Sequence, residues 1–328
     1  MVWLLFLASS AIVVLAAIKL AQYGDVIAVR TRLSGMFIGT LLMAGATSLP
    51  ELLSAVNALA LDAPNLAAGG LFGSSMFNMF MLGVLDLITQ KTRILRRVAM
   101  NHAITASLAT LLMGLAVFFL LADLDIKIGW VGVDSLVIMV AYGAGVRLLQ
   151  QQGSASPDAP EIEDAKVPSL RRAVVGFSLA TLVLVLVTPY LVGSANDIAE
   201  ITGLSAGFIG ATLLAITTSL PELVATIAAV RIGAYDLAIG NLFGSNLFNM
   251  FVLGLTDVFY LDGRFLAVID PTFALVALLG LLLTTLGLIG NIAKVERRIF
   301  FVEVDAFLIL IGYFLGMWFL YSSGIGLS

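Results

Sequence analysis

The chain has 328 residues, 60% of them hydrophobic and only 12% charged, with a mean hydropathy of +1.08 and a net charge of −4. A water-soluble protein carries about a quarter charged residues, so this composition excludes a soluble globular enzyme and places nearly the whole chain in lipid. No cysteine is present, which excludes a disulfide framework and a thiolate metal site; the small net charge says little about partners, and no nucleic-acid partner is expected.

Apolar runs of about 20 residues, each long enough for a hydrocarbon core of about 30 Å, recur from end to end. They predict an all-α membrane protein with ten transmembrane helices, over residues 2–29, 34–60, 64–88, 95–121, 126–149, 170–196, 205–230, 234–258, 264–289 and 299–321. The first run has no basic stretch ahead of it and leads straight into repeated sequence, so it reads as a span and not as a signal peptide. Every gap is short except 150–169, which is rich in Gln, Pro, Ser and acidic residues and reads as a solvated linker. Residues 1–149 then form one five-helix half and 170–328 the other.

Basic residues sort strongly to one side. Arg30, Arg32, Lys91, Arg93, Arg96, Arg97, Arg147, Lys166, Arg171, Arg172, Arg231, Lys294, Arg297 and Arg298 fall on one face, against Lys127 and Arg264 on the other. The positive-inside rule makes the first face cytoplasmic. The prediction is a multi-pass protein of the cell (inner) membrane, with both termini extracytoplasmic and the 150–169 loop cytoplasmic.

Within the second and third spans, Ser34 to Asp86 aligns without a gap to Ser205 to Asp257, 171 positions later, with roughly half the pairs identical. Five spans separate equivalent positions. An odd number turns the second half upside down, giving two inverted-topology five-helix repeats, an architecture whose sites lie near the midplane among broken helices. The identical residues cluster in Thr-Ser-Leu-Pro-Glu-Leu and in Leu-Phe-Gly-Ser-x-x-Phe-Asn-Met-Phe, and those clusters hold the polar residues.

Glu51 and Glu222 are the chief of these. An ionisable side chain at the centre of a span costs at least about 2.5–3.5 kcal/mol, so a repeated pair points to ion handling. Pro50 and Pro221 each lack a donor and clash with the preceding turn, which predicts a helix break just before each. A break frees carbonyls from about Ala44 to Thr47 and from Ala215 to Thr218, and puts each glutamate in the first turn of a half-helix, where the dipole favours its charge. Ser74 and Asn78, like Ser245 and Asn249, are four apart and line one helix face. The surrounding glycines read as helix contacts. Carboxylate, amide, hydroxyl and carbonyl oxygens together suit Ca²⁺, Na⁺ or another hard cation and disfavour zinc or copper. The two carboxylates balance one divalent ion or two monovalent ones.

At these motifs the chain resembles the cation/calcium exchanger superfamily, and within it the prokaryotic sodium/calcium exchangers. The resemblance covers essentially the whole chain and implies an antiporter that moves Ca²⁺ against Na⁺, with the first span of each half sliding past a core of the others. It implies Ca²⁺ ligation by Glu51 and Glu222 with the Thr47 and Thr218 carbonyls. Flanking Na⁺ sites would use Ser48, Ser245 and the Ala44 carbonyl, and Ser219, Ser74 and the Ala215 carbonyl. Asn78 and Asn249 would complete the central site. No cofactor and no obligatory protein partner are implied beyond the transported ions and the bilayer. The sequence departs from the family pattern at Ala46 and Thr217, where Gly is frequent, and at Gly70 and Ser75, where the second repeat has Asn241 and Asn246. Asn249, where some relatives carry Asp, argues against K⁺ co-transport.

Two rival readings keep these residues. A proton-coupled Ca²⁺ antiporter would protonate Glu51 or Glu222 in place of binding Na⁺, and a cation channel would use them as a constriction. Outside the motifs, His102 reads as an interfacial or packing residue, Asp86 and Asp257 as structural acids, and Asp134 as a buried, paired one.

Overall fold

The computed structural model describes residues 1–31, 45–88, 100–153, 168–293, 298–299 and 302–322. Among them nine helices are long and apolar enough to cross a membrane: α1 (Val2–Arg30), α3 (Pro64–Ile88), α4 (Met100–Ala122), α5 (Val133–Gly153), α6 (Leu170–Thr202), α7 (Ala206–Arg231), α8 (Tyr235–Phe259), α9 (Phe273–Ala293) and α10 (Val304–Ser322). The shorter α2 (Leu49–Ala60) is the described part of the second predicted span. Two hairpins interrupt the helical pattern: β1 (Lys127–Ile128) with β2 (Val131–Gly132) before α5, and β3 (Arg298–Ile299) with β4 (Val302–Glu303) before α10. They stand 171 residues apart, so the internal repeat extends beyond the motifs to the entry of each half's last helix.

Local chemistry explains several boundaries. The Ser169 and Ser205 hydroxyls accept from Arg172 N and Phe208 N and start α6 and α7, and Gly203 at φ 69° closes α6 in the left-handed conformation that glycine adopts without strain. The span expected at 264–289 begins later, at Phe273, because Asp270 and Pro271 hold a turn in which Asp270 Oδ1 accepts from Thr272 N and Oγ1. The helix expected to end at 149 continues to Gly153, since Leu148 to Gln152 are all tolerant helix formers, so the linker starts later than its composition suggests.

The larger departure concerns the paired prolines. In the first repeat the break is present: Ser48 is a turn residue (φ −90°, ψ 10°) and α2 starts at Leu49, with Pro50 in its first turn, where its missing N–H leaves no bond unmade. In the second repeat the expected break before Pro221 is not a helix end. Pro221 lies inside a helical segment running from Ala215 to Arg231, and the irregularity sits upstream as a π turn over Gly210–Leu214. There the backbones of α7 and α3 touch: a Cβ on Gly73 would strike Ala211, and one on Gly210 would strike Leu66 O. Tight packing at the α3 crossing holds that segment in place.

α3 and α8 form the centre of the bundle, buried along most of their length, while α1 and α6 lie side by side at its periphery. Gly69 and Gly73 of α3 let α7 approach to backbone contact. Around that crossing the glutamate of each repeat meets one serine from each repeat.

Candidate ion-binding site

Glu51, in the first turn of α2, and Glu222, in α7, are both buried. Two hydroxyls face one oxygen of each. Glu51 Oε1 lies 3.5 Å from Ser74 Oγ of its own repeat and 3.3 Å from Ser219 Oγ of the other. Glu222 Oε1 lies 3.5 Å from Ser245 Oγ of its own repeat and 3.1 Å from Ser48 Oγ of the other. The two arrangements are mates under the pseudo-two-fold axis. Ser48 could have capped α2, but its side chain makes no cap bond and crosses to Glu222 instead. Thr218 Oγ1, 3.3 Å from Ser74 Oγ, lies against Glu51, and Thr47 lies against Glu222.

One turn along α3 and α8 from the serines stand Asn78 and Asn249. Asn78 Nδ2 donates to Asn246 Oδ1 at 2.9 Å, and Asn249 Nδ2 to Ser75 Oγ at 3.4 Å. Both amide nitrogens are therefore spent on neighbours away from the glutamates. Four predicted ligand oxygens are buried and have no hydrogen-bond partner among the described residues: Glu51 Oε2, Glu222 Oε2, Asn78 Oδ1 and Asn249 Oδ1. Buried polar atoms are normally satisfied, so a group of unsatisfied acceptors around two carboxylates, with no donor among them, is a place for a cation.

The remaining predicted ligands are carbonyls. Ala215 lies within α7 and its carbonyl accepts from Thr218 Oγ1 at 3.4 Å, whereas Ala44 lies outside the described residues. Pro221 has no N–H to give the Thr217 carbonyl, so α7 carries one unmade backbone bond beside Thr218 even without a helix end.

Sequence reasoning missed the residues behind the ligands. Asn241 Nδ2 donates to Thr226 Oγ1 at 3.0 Å and to the Glu222 carbonyl at 3.3 Å, and Asn246, Ser75 and Thr284 form a further hydrogen-bonded group. The signal available for three of them was the mismatch between repeats at 70/241 and 75/246; Thr284, in α9, carried none. His102 packs on Gly240 and lies 3.5 Å from Asp236, remote from the glutamates.

Two of the acids expected to be structural, Asp257 and Asp134, are so for visible reasons. Asp257 accepts from Gly132 N at 2.7 Å and from Phe265 N, pinning the β1–β2 hairpin and the turn after α8. Asp134 accepts from Ser135 N at 2.8 Å and pairs with Arg264 at 3.2 Å. Arg264 also meets Asp123 at 2.7 Å and Asp125 at 3.5 Å. Burial works against the Arg264 charge, yet these carboxylates outweigh it and raise its pKa above the ordinary value. At the matching place in the other half, Asp86, Glu303 and Asp305 lie with carboxylate oxygens within 4.8 Å of one another.

The family model of the sodium/calcium exchanger protein matches residues 1–149 and 172–322, nearly the full chain. The chain belongs to the sodium/calcium exchanger family. The exchanger is also 30% identical to CaxA of Alkalimonas amylolytica over 314 residues, 90% of this chain and 91% of that one. Among solved structures, the H⁺/Ca²⁺ exchanger CAX superposes with a TM-score of 0.67 at 15% identity, covering 98% of this chain and 88% of its own. The sodium-calcium exchanger NCX_Mj superposes with a TM-score of 0.61 at 22% identity, covering 97% and 99%. Both share the fold of the exchanger. The protein is thus a multi-pass membrane transporter of the cation/calcium exchanger superfamily and not an enzyme, and the family exchanges Ca²⁺ against Na⁺ or H⁺.

Proposed function

We propose that the exchanger is a Na⁺/Ca²⁺ antiporter working by alternating access, with Ca²⁺ held between Glu51 and Glu222. The observation that carries this reading is the set of four buried, unpartnered oxygens on Glu51, Glu222, Asn78 and Asn249. Each such oxygen costs about 1–3 kcal/mol when it is left unsatisfied, and a hard cation satisfies all of them at once. Two carboxylates balance one Ca²⁺. The Thr47 and Thr218 carbonyls would supply further oxygens.

Coupling follows from the hydroxyls. Ser48 with Ser245, and Ser219 with Ser74, face the occupied Oε1 atoms in two mirror-related pairs. Na⁺ between such a pair, with the Ala44 or Ala215 carbonyl, would draw on the same carboxylate charge as Ca²⁺, so the ions compete and exchange. α1 and α6, packed against each other beside the core, are the elements placed to slide. The basic face would be cytoplasmic, putting 150–169 inside and both termini outside.

A second reading keeps the site and changes the driving ion. The likeness of the fold to an H⁺/Ca²⁺ exchanger favours it, with Glu51 or Glu222 taking a proton in place of Na⁺. The deciding experiment is ⁴⁵Ca²⁺ uptake into proteoliposomes loaded with Na⁺, compared at constant pH with choline-loaded vesicles and with vesicles carrying a proton gradient. Uptake that needs internal Na⁺ supports sodium coupling; uptake that follows the proton gradient and ignores Na⁺ replaces it with proton coupling.

A further inference from the structure

Asn78 and Asn249 each turn nitrogen towards a neighbour and leave oxygen unpartnered, and the neighbours dictate that choice. Asn246 Nδ2 donates to the Ser75 carbonyl and to Thr284 Oγ1, both at 3.2 Å. A carbonyl can only accept. The Thr284 hydroxyl gives its own proton to the Gly280 carbonyl at 2.8 Å, so it too has only lone pairs to offer. Both contacts demand the amino group of Asn246, which leaves its Oδ1 facing Asn78. Asn78 must answer with Nδ2, and its Oδ1 is turned the other way. The second carboxamide is set by the same logic: the Ser75 hydroxyl spends its proton on the Leu71 carbonyl at 3.2 Å and therefore only accepts from Asn249 Nδ2 at 3.4 Å.

Ser75 and Asn246 are themselves repeat mates, 171 positions apart. Each therefore orients the carboxamide of the opposite repeat. We infer that Ser75, Asn246 and Thr284 are positioning residues for a divalent cation: they fix the polarity of Asn249 and Asn78 crosswise, so that both carboxamides present oxygen and neither presents an N–H to the ion. This inference rests on the proposed site around Glu51 and Glu222. It explains how the repeats can differ at 75/246 without losing the match in their ligands: serine and asparagine supply the same acceptor by different routes.

The test is equilibrium ⁴⁵Ca²⁺ binding by the full chain in detergent without Na⁺. Ser75→Ala and Asn246→Ala are each expected to weaken binding about 10-fold or more, the usual range for partners of metal ligands. The decisive readout is the pattern in double variants. Ser75→Ala should add nothing in an Asn249→Ala chain and keep its full effect in an Asn78→Ala chain, while Asn246→Ala should do the reverse. Asn246→Ser should restore binding to within about 3-fold, because a serine bonded back to the Leu242 carbonyl offers Asn78 the acceptor that Ser75 offers Asn249. Thr284→Val against Thr284→Ser repeats the comparison from α9, with loss expected only for valine. A general packing defect would not produce the crosswise pattern. Equal effects in both backgrounds, or unchanged binding in the single variants, overturn the inference. Glu51→Gln in the same assay separates the two levels. Loss of binding there with no crosswise pattern removes the positioning role alone, whereas binding that survives Glu51→Gln removes the site itself.

Discussion

Two buried acidic regions of the exchanger use carboxylates in opposite ways. Beside Arg264 every oxygen of Asp134 and Asp257 is engaged, by Ser135 N, Gly132 N, Phe265 N or the guanidinium. At the centre of the bundle, Glu51 and Glu222 each keep one oxygen without a partner, and the neighbouring Asn78 and Asn249 do the same. The first region is finished by the protein alone. The second leaves acceptor capacity that the proposed cation would take up. Buried acidity by itself therefore says little; acceptor capacity left over after the neighbouring hydroxyls are counted is what sets the central region apart.

The two regions would cease to differ if the central acids proved structural. Glu51→Gln or Glu222→Gln should reduce ⁴⁵Ca²⁺ uptake by at least about 100-fold, since losing a direct ligand exceeds the loss of an outer partner. The same variants should melt no lower than the unchanged chain, because each removes one of two facing like charges. Normal uptake, or loss of uptake only in step with loss of folded protein, would abolish the distinction.

Arg264→Leu probes the other side. It leaves Asp134 buried without its cation and should destabilise the fold by about 3–5 kcal/mol, read as a lowered unfolding midpoint in detergent, while the Ca²⁺ concentration for half-maximal uptake stays put. Adding Asp134→Leu should recover much of that loss. Asp257→Asn should cost less, about 1–3 kcal/mol, because one of its two backbone donors would meet an amino group in place of a carboxylate oxygen. A change in ion affinity without a change in stability for any of these three would blur the two regions into one.

Most of the candidate site was legible from sequence because the repeat singles out the same polar residues twice. Glu51, Ser74 and Asn78 recur at 222, 245 and 249, and polar residues recurring inside apolar spans have no packing reason to do so. The fold followed from span length and the odd number of spans between repeats. Two things did not follow. One is the fate of Pro221: the same dipeptide ends a turn at Ser48 but lies inside α7, because the upstream backbone is gripped by α3 at Gly69, Gly73 and Leu66, and that grip is tertiary. The other is the crossing of hydrogen bonds between repeats. Ser48 serving Glu222 and Ser219 serving Glu51 pair residues 174 and 168 positions apart, a proximity that no local spacing encodes. Arg264 was visible as an isolated basic residue, but its partners Asp123, Asp125 and Asp134 meet it only once the β1–β2 hairpin and the turn after α8 are folded together.

Within the central region the serine hydroxyls are expected to matter less than the carboxylates. Ser48→Ala and Ser219→Ala each remove one hydroxyl from a glutamate Oε1 that retains its contact to Ser245 or Ser74. No carboxylate charge is lost, so Ca²⁺ binding between the unpartnered Oε2 atoms should change little. Na⁺ in the flanking positions would lose a ligand, and the Na⁺ concentration for half-maximal exchange should rise about 3- to 10-fold, the size of one ordinary net hydrogen-bond contribution of about 1 kcal/mol. Because the two serines are mates under the pseudo-two-fold axis, the two shifts should be similar in size. Equal losses for Na⁺ and Ca²⁺ would merge the flanking and central sites. A shift in one variant alone would mean that the halves, although matched in their oxygens, do not share the work of coupling, and the asymmetry would then trace to the one repeat whose helix is interrupted at Ser48.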